Sequence, residues 1–403
     1  MKGRIKVRVK WTTACFIWSV ISTTLVVNVA LAQIPGLVPE KNWDLNGYVK
    51  YMATSTMPDN SSNSLDHLVH QRFNYEYRFH SDLRVNLGMR NRVLWGDTPS
   101  MPGYGELIGH DPGYLDLTSN WHDNDGVIGT SQFDRAYIQW QNEDWQNRVG
   151  RFRINWAMTT IWNPNDIFNS YSIYDFDYEE RSGSDAIAVS RKLGFASSVD
   201  LVYSPSEDQA LDSYAARYLF NHDGWDYQAM VGKSGLDHVL GAGFAGDVSG
   251  AGVRGELSWF NPTQDEWQSM PLEQSTIASL EADYSFGGAR NWIGRMAMLY
   301  ISNPQTTDSA IKYLNLPLTA RTLSFTKHTM YADLGFDISP LSRITFSSIY
   351  YQDGSVYLSV NSSYSLSNNV QLLAVAQRFD GAPESLFSES ASTLVFGQIK
   401  WSF

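Results

Sequence analysis

The chain reads as an all-β protein: a closed antiparallel transmembrane β-barrel of about 16–18 strands. Three observations predict this. The N-terminus has the build of an export signal. The rest of the chain alternates apolar and polar residues with period two, in stretches of about ten. The last such stretch ends on an aromatic residue. The composition allows little else. Of 403 residues, 43% are hydrophobic and 14% aromatic, with 14 Trp, 22 Tyr and 19 Phe against a single Cys. A mean hydropathy of −0.29 excludes a polytopic helical membrane protein. So many aromatic side chains exclude a disordered chain, and a net charge of −12 speaks against nucleic acid as a partner.

Residues 1–10 carry Lys2, Arg4, Lys6, Arg8 and Lys10 with no acid. An apolar run follows and closes in Ala30-Leu31-Ala32 before Gln33. A basic start, an apolar middle and an A-x-A exit predict a cleaved secretory signal peptide over 1–32, with Ala30 and Ala32 as its cleavage signal and 33–403 as one barrel domain. An uncleaved anchor is the competing reading. Removing 1–32 leaves 25 bases against 42 acids and takes away Cys15, so the exported chain has no thiol for a disulfide, a metal or nucleophilic catalysis.

Within the barrel domain, Phe73, Tyr75, Tyr77 and Phe79 share one face, and Arg72, Asn74, Glu76, Arg78 and His80 the other. The same alternation predicts eighteen strands near 43–52, 66–79, 83–95, 132–141, 147–156, 185–192, 196–204, 212–221, 225–234, 237–246, 251–260, 275–286, 290–302, 326–338, 343–351, 355–365, 370–380 and 391–403. Those near 185–192 and 237–246 are weakly patterned, which leaves sixteen open. The connections alternate between tight turns and longer segments, notably 96–131, 157–184, 261–274 and 303–325. One short-turn end and one long-loop end is the asymmetry of outer-membrane barrels, and an even strand number puts both termini at the short-turn, periplasmic end. In hydrocarbon both edges of every strand must pair, so the sheet has to close.

The last strand reads Leu394-Val-Phe-Gly-Gln-Ile-Lys-Trp-Ser-Phe403, with Ile399, Trp401 and Phe403 on one face. On these residues the sequence resembles the bacterial outer-membrane β-barrel superfamily. In that superfamily the resemblance implies that Ile399, Trp401 and Phe403 act as an assembly signal for periplasmic chaperones and the barrel-assembly machinery. An 18-stranded single-chain barrel is similar to the porins, whether general, substrate-selective or alginate-export-type. With Trp43 already opening strand one, a plugged, energised receptor is not expected.

Barrels of this size enclose water, so the polar faces predict a channel lining. Arg72, Arg78, Arg84, Arg90, Arg92, Arg135, Arg151 and Arg153 are read as an inward ladder on neighbouring strands. Inward acids come from the far half: Glu256, Glu281, Asp283, Asp333 and Asp337. Loop 157–184 adds Asp166, Asp175, Asp177, Glu179 and Glu180, and its aromatic content suggests a segment folded into the lumen as a constriction. A basic wall facing acids would set a transverse field in which small polar solutes align. The competing account is a solvated lumen with balanced charge.

No cofactor or metal is expected. His67 and His70 fall on opposite faces of a strand, and Asp111, Asp116, Asp123 and Asp125 read as a polar loop. The chain has no G-x-S-x-G elbow, and no enzyme is expected. Trp95, Trp140, Trp156, Trp259, Trp292, Tyr300 and Trp401 are read as interfacial girdles. The outward small residues Ala242, Ala278, Ala282 and Ala332 fit a homotrimer interface and lipid contact equally well. The function that follows is passive diffusion of small hydrophilic solutes, anionic ones among them, across the outer membrane. The alternatives are a selective or export pore for an anionic sugar or polysaccharide, and a non-conducting barrel for adhesion or envelope assembly.

Overall fold

A computed structural model describes residues 41–174, 183–307, 309–314 and 316–403. The segment 1–32 with Ala30 and Ala32, and the acids Asp175, Asp177, Glu179 and Glu180, lie outside the described residues. The strands, in chain order, are β1 (Trp43–Pro58), β2 (Ser64–His80), β3 (Leu83–Gly96), β4 (Thr118–Asn124), β5 (Val127–Gln141), β6 (Trp145–Phe152), β7 (Ser184–Lys192), β8 (Ser198–Ser204), β9 (Ser213–His222), β10 (Trp225–Ser234) and β11 (Asp237–Val248). They continue with β12 (Ala251–Pro262), β13 (Glu266–Trp267), β14 (Met270–Pro271), β15 (Ser275–Gly287), β16 (Trp292–Ile301), β17 (His328–Ser339), β18 (Ser342–Tyr351), β19 (Ser355–Ser367), β20 (Val370–Gly381) and β21 (Ser392–Ser402). Short helices α1 (Tyr104–Gly109) and α2 (Ala310–Leu314) sit in long connections.

Nineteen strands share one antiparallel sheet, and β13–β14 form a separate small hairpin. Eighteen of the nineteen, all but β4, make a closed ring, because β21 pairs back onto β1 with Tyr48 opposite Ser402. Each of the eighteen predicted segments corresponds to one ring strand, the weakly patterned ones included. Closure depends on Gly47. Its N–H and C=O exchange 3.0 Å hydrogen bonds with Phe403, and a Cβ there would lie 2.1 Å from the Arg72 carbonyl oxygen. The barrel's first and last strands therefore meet at the short-turn end. That end is tight for local reasons: Asp223-Gly224 and Ser249-Gly250 adopt positive φ at both central turn residues, the geometry that matches strand twist in a two-residue hairpin.

The outer face is apolar, as alternation requires: Ile138, Leu280, Met330 and Leu358 are each about half exposed. Their strand neighbours turn inward and are mostly polar and covered, among them Gln139, Ser279, Glu281, Thr329 and Ser359.

Two local departures shape the lumen. On β5 the pairing slips, with Gly88 opposite Arg135 and Met89 opposite Phe133, so Asp134 is an extra residue in a β-bulge. The bulge turns two successive residues, Asp134 and Arg135, to the lumenal side. The second departure is at β6. The predicted strand 147–156 stops at Phe152, since the Ile154 N–H turns to the Asn169 side chain at 2.8 Å instead of a strand partner. β6 pairs only with the lower half of β5 (136–141). The upper half (127–132) pairs with β4, which sequence reading left inside a loop. A segment of the long 97–126 connection thus takes over the lane that β6 vacates when its chain enters the barrel.

Candidate functional site

The chain leaving β6 runs through the lumen and is fastened at both of its described ends. At the first, two carboxylates of the opposite wall accept its backbone N–H groups. Glu256 on β12 accepts from Met158, from Thr159 at 2.8 Å and from Asn165 at 2.9 Å. Glu281 on β15 accepts from the Thr160 N–H and hydroxyl, both at 2.7 Å, and from the Ile161 N–H at 3.1 Å. Asn165 bridges the Ala242 carbonyl (2.9 Å) and the Ser258 hydroxyl (2.6 Å). Gln228 donates to the Trp156 carbonyl at 2.9 Å.

Carboxylates receiving several N–H groups are strong anchors, because the acceptor is charged and the site is dry. At the other end Tyr174 bonds the Tyr351 hydroxyl. It also packs edge-on against Tyr357 and Phe387, with ring centroids 5.3 and 6.4 Å away, and Gln377 donates to its carbonyl at 2.9 Å. Residues 154–174 therefore cross the lumen. Trp156, expected as a membrane girdle, is 2% exposed in this loop with Arg217 stacked 5.2 Å from its ring centre. Asp166 is fully buried within it.

The far wall, β12 and β15–β18, carries the expected acids; Glu256 is spent on the loop's N–H groups, and each of the other four is matched by a cation. Arg254 bonds Glu281 at 3.1 Å and also Asp283. Arg295 donates twice to Asp333 (2.6 and 2.9 Å) and once to the Thr160 hydroxyl of the loop (2.7 Å). Arg343 bonds Asp337 at 2.7 Å. Arg254, Arg295, Arg343, Glu281, Asp283 and Asp333 line a cavity of about 340 Å³ beside the loop. The far wall is thus a charge-paired surface, in place of the acidic one expected.

The near wall, β21-β1-β2-β3-β5, differs. Register places Lys400, Lys50, His70 and Arg92 opposite one another in four successive lanes, with Arg72 opposite Arg90 in the row next to them. Lys50, His70 and Lys400 were missed: Lys50 and His70 face each other across the β1–β2 hairpin, and only barrel closure brings Lys400 on β21 beside Lys50.

The predicted arginines fall into distinct settings. Arg72 is 1% exposed and holds Asp134 of the bulge through two bonds (2.5 and 3.0 Å). It reaches across β3 over Gly88, where a Cβ would stand 2.8 Å from the guanidinium. Arg78 joins Asp44 (2.6 Å) and Glu76 (2.7 Å) near the short-turn rim, with Arg84 3.6 Å from Glu76. Arg90 donates to Gln132 at 2.8 Å, and Arg92 lies 3.5 Å from the Ile108 carbonyl. Arg135 faces the lumen beside Gly88, and Arg153 lies just past the end of β6.

Arg151 corrects the inward ladder. It pairs opposite Ala136 and Asp185, on the face of Val149 and Ile187, which are 54% and 49% exposed outward. Its guanidinium is buried against Asp185 (2.8 Å), Asp111 (2.8 Å) and the Leu115 carbonyl (2.6 Å). The phase was misread because β6 has an apolar residue on each face: Phe152 points inward onto Tyr137, with ring centroids 5.7 Å apart. Arg151 therefore seals the seam where β6 leaves the wall. Burial tends to raise the Asp111 pKa. The Arg151 guanidinium and hydrogen bonds from Gly113 N–H and the Thr118 hydroxyl outweigh it and hold the carboxyl below its usual range.

A closed 18-stranded antiparallel barrel with a loop drawn through a charged lumen is the architecture of an outer-membrane porin. No family model and no curated protein matches the chain. Among solved structures it is similar to Acinetobacter baumannii OccAB4, at 9% identity over 91% of this chain and 99% of that one, with a TM-score of 0.58. It is similar to Pseudomonas aeruginosa OpdQ, at 8% identity over 90% and 99% of the two chains and a TM-score of 0.58. The outer membrane protein OprD of Pseudomonas aeruginosa is 7% identical over 90% and 94%, with a TM-score of 0.54. At these identities the likeness is one of fold.

Proposed function

We propose that the protein is a passive channel for small hydrophilic solutes that favours anions, with residues 154–174 as its constriction. The observation that carries this reading is the asymmetry of the two walls. Of the far-wall acids, Glu256 is occupied by the loop's N–H groups and the rest are matched by Arg254, Arg295 and Arg343, whereas the near wall stacks Lys400, Lys50, His70 and Arg92 in adjacent lanes. Like charges set directly opposite destabilise a sheet. Here Lys400 stands directly opposite Lys50, and Arg72 opposite Arg90, so this wall concentrates positive charge on the lumenal side. An anion entering between the loop and the near wall gives up part of its hydration and meets guanidinium and ammonium groups instead; among the described residues a cation meets no equivalent row. On this reading residues 1–32 are removed on export, both barrel ends lie in the periplasm, and Ile399, Trp401 and Phe403 present the closing strand for assembly. Small carboxylates and acidic sugars are the solutes that such a lining suits.

The test is the reversal potential of the reconstituted barrel in a salt gradient. Lys50→Glu with Arg92→Glu should move it toward cation preference, while charge reversal at Arg151 should not. Unchanged selectivity in the first variant would remove the near wall from the account.

A further inference from the structure

The outer face of the near wall carries a polar row where only apolar side chains are expected. Gln71 on β2, Asn91 on β3 and Ser131 on β5 stand directly opposite one another. Each alternates with lumenal residues of its own strand: Gln71 sits between His70 and Arg72, which are 8% and 1% exposed toward the interior. The three are linked in series. The Ser131 hydroxyl donates to Asn91 Oδ1 at 2.6 Å, and Asn91 Nδ2 donates to Gln71 Oε1 at 2.7 Å. Trp121 on β4 adds its indole N–H to the Ser131 oxygen at 3.1 Å.

The row lies within the band that faces hydrocarbon. On β2 it falls between outward Val69 and Phe73, and on β3 between Met89 and Val93, with aromatics beyond on both sides. Among the described residues none accepts from Gln71 Nε2, so the row ends on a donor that lipid tails cannot satisfy. A primary amide is at once donor and acceptor. Two copies of this row brought together about a symmetry axis can therefore satisfy each other, which neither lipid nor an apolar partner can do.

We propose that this face, β2-β3-β5 with β4 beside it, is where a second copy of the chain docks in the membrane. The association is independent of whether the barrel conducts.

Residues 33–403 contain no cysteine, so a single engineered thiol reports cleanly. Purified Gln71→Cys and, on the far outer face, Leu280→Cys would be reconstituted in vesicles and treated with a short bismaleimide. The expected result is a covalent dimer through position 71, retained on lipid dilution, and none through 280. A barrel with Gln71→Leu and Asn91→Leu, checked for folding by its heat-modifiable gel shift, should associate on the order of tenfold more weakly than wild type by sedimentation in detergent. No cross-link at 71, equal cross-linking at 71 and 280, or undiminished association of the leucine variant would overturn the proposal. So would a cross-link from position 71 to a protein of different mass in native outer membranes.

Discussion

At Gly88 the near wall has no room for a side chain. The Arg72 guanidinium passes over it to reach Asp134, and an added Cβ would sit 2.8 Å from one of these groups and 3.1 Å from the other. Because both partners are dry, Gly88→Ala should cost about 1–3 kcal/mol through overpacking. Most of that loss should disappear in an Arg72→Met, Asp134→Leu background, as a double-mutant cycle on the temperature of the heat-modifiable transition would show. Removing Arg72 alone should be worse, about 3–5 kcal/mol, since it strands a buried carboxylate. Arg151→Ala belongs to the same class, and its cost should appear locally as protease access to residues 110–117. Asp111 adds a pH dependence there. Its pKa is lowered in the folded protein, so its contribution is present above the ordinary carboxylate pKa and is lost as pH falls through the lowered value. The hydrogen-exchange protection factors of Gly113 and Leu117, with the intrinsic pH dependence of exchange divided out, should therefore fall on acidification below about pH 4 and stay constant above it.

The elements show what alternation encodes and what it omits. Period two located all eighteen ring strands, because every strand separates water from lipid and each face must match its solvent. It misplaced what the wall does between strands. β4 has no apolar stripe of its own and is a strand only because β6 leaves its lane empty. The inward phase of β6 was read backwards, since Phe152 finds an aromatic partner in the lumen while Arg151 is sealed in the seam. The loop's path was suggested by its aromatics, yet its anchors Glu256 and Glu281 read in sequence only as inward acids. Each accepts three or more bonds from the loop, worth ~1.5–3 kcal/mol apiece for a charged acceptor. Glu256→Gln with Glu281→Gln should loosen residues 158–165 and raise the unitary conductance while the barrel stays folded. A double variant of wild-type conductance would show that this part of the loop does not limit the pore.

At the scale of the whole molecule, closure creates the site. Lys50 and Lys400 lie 350 residues apart in sequence and become neighbours only because β21 pairs with β1 through Gly47 and Phe403. The same ring separates a basic near wall from a charge-paired far wall and hangs one loop between them. The central claim is that this loop-narrowed lumen is an open, anion-favouring path. The measurement that tests it most directly is planar-bilayer recording of the purified, heat-modifiable barrel under a salt gradient. The account predicts discrete open steps with a reversal potential on the anion side. A folded barrel that gives no steps, or steps that favour cations, would contradict it.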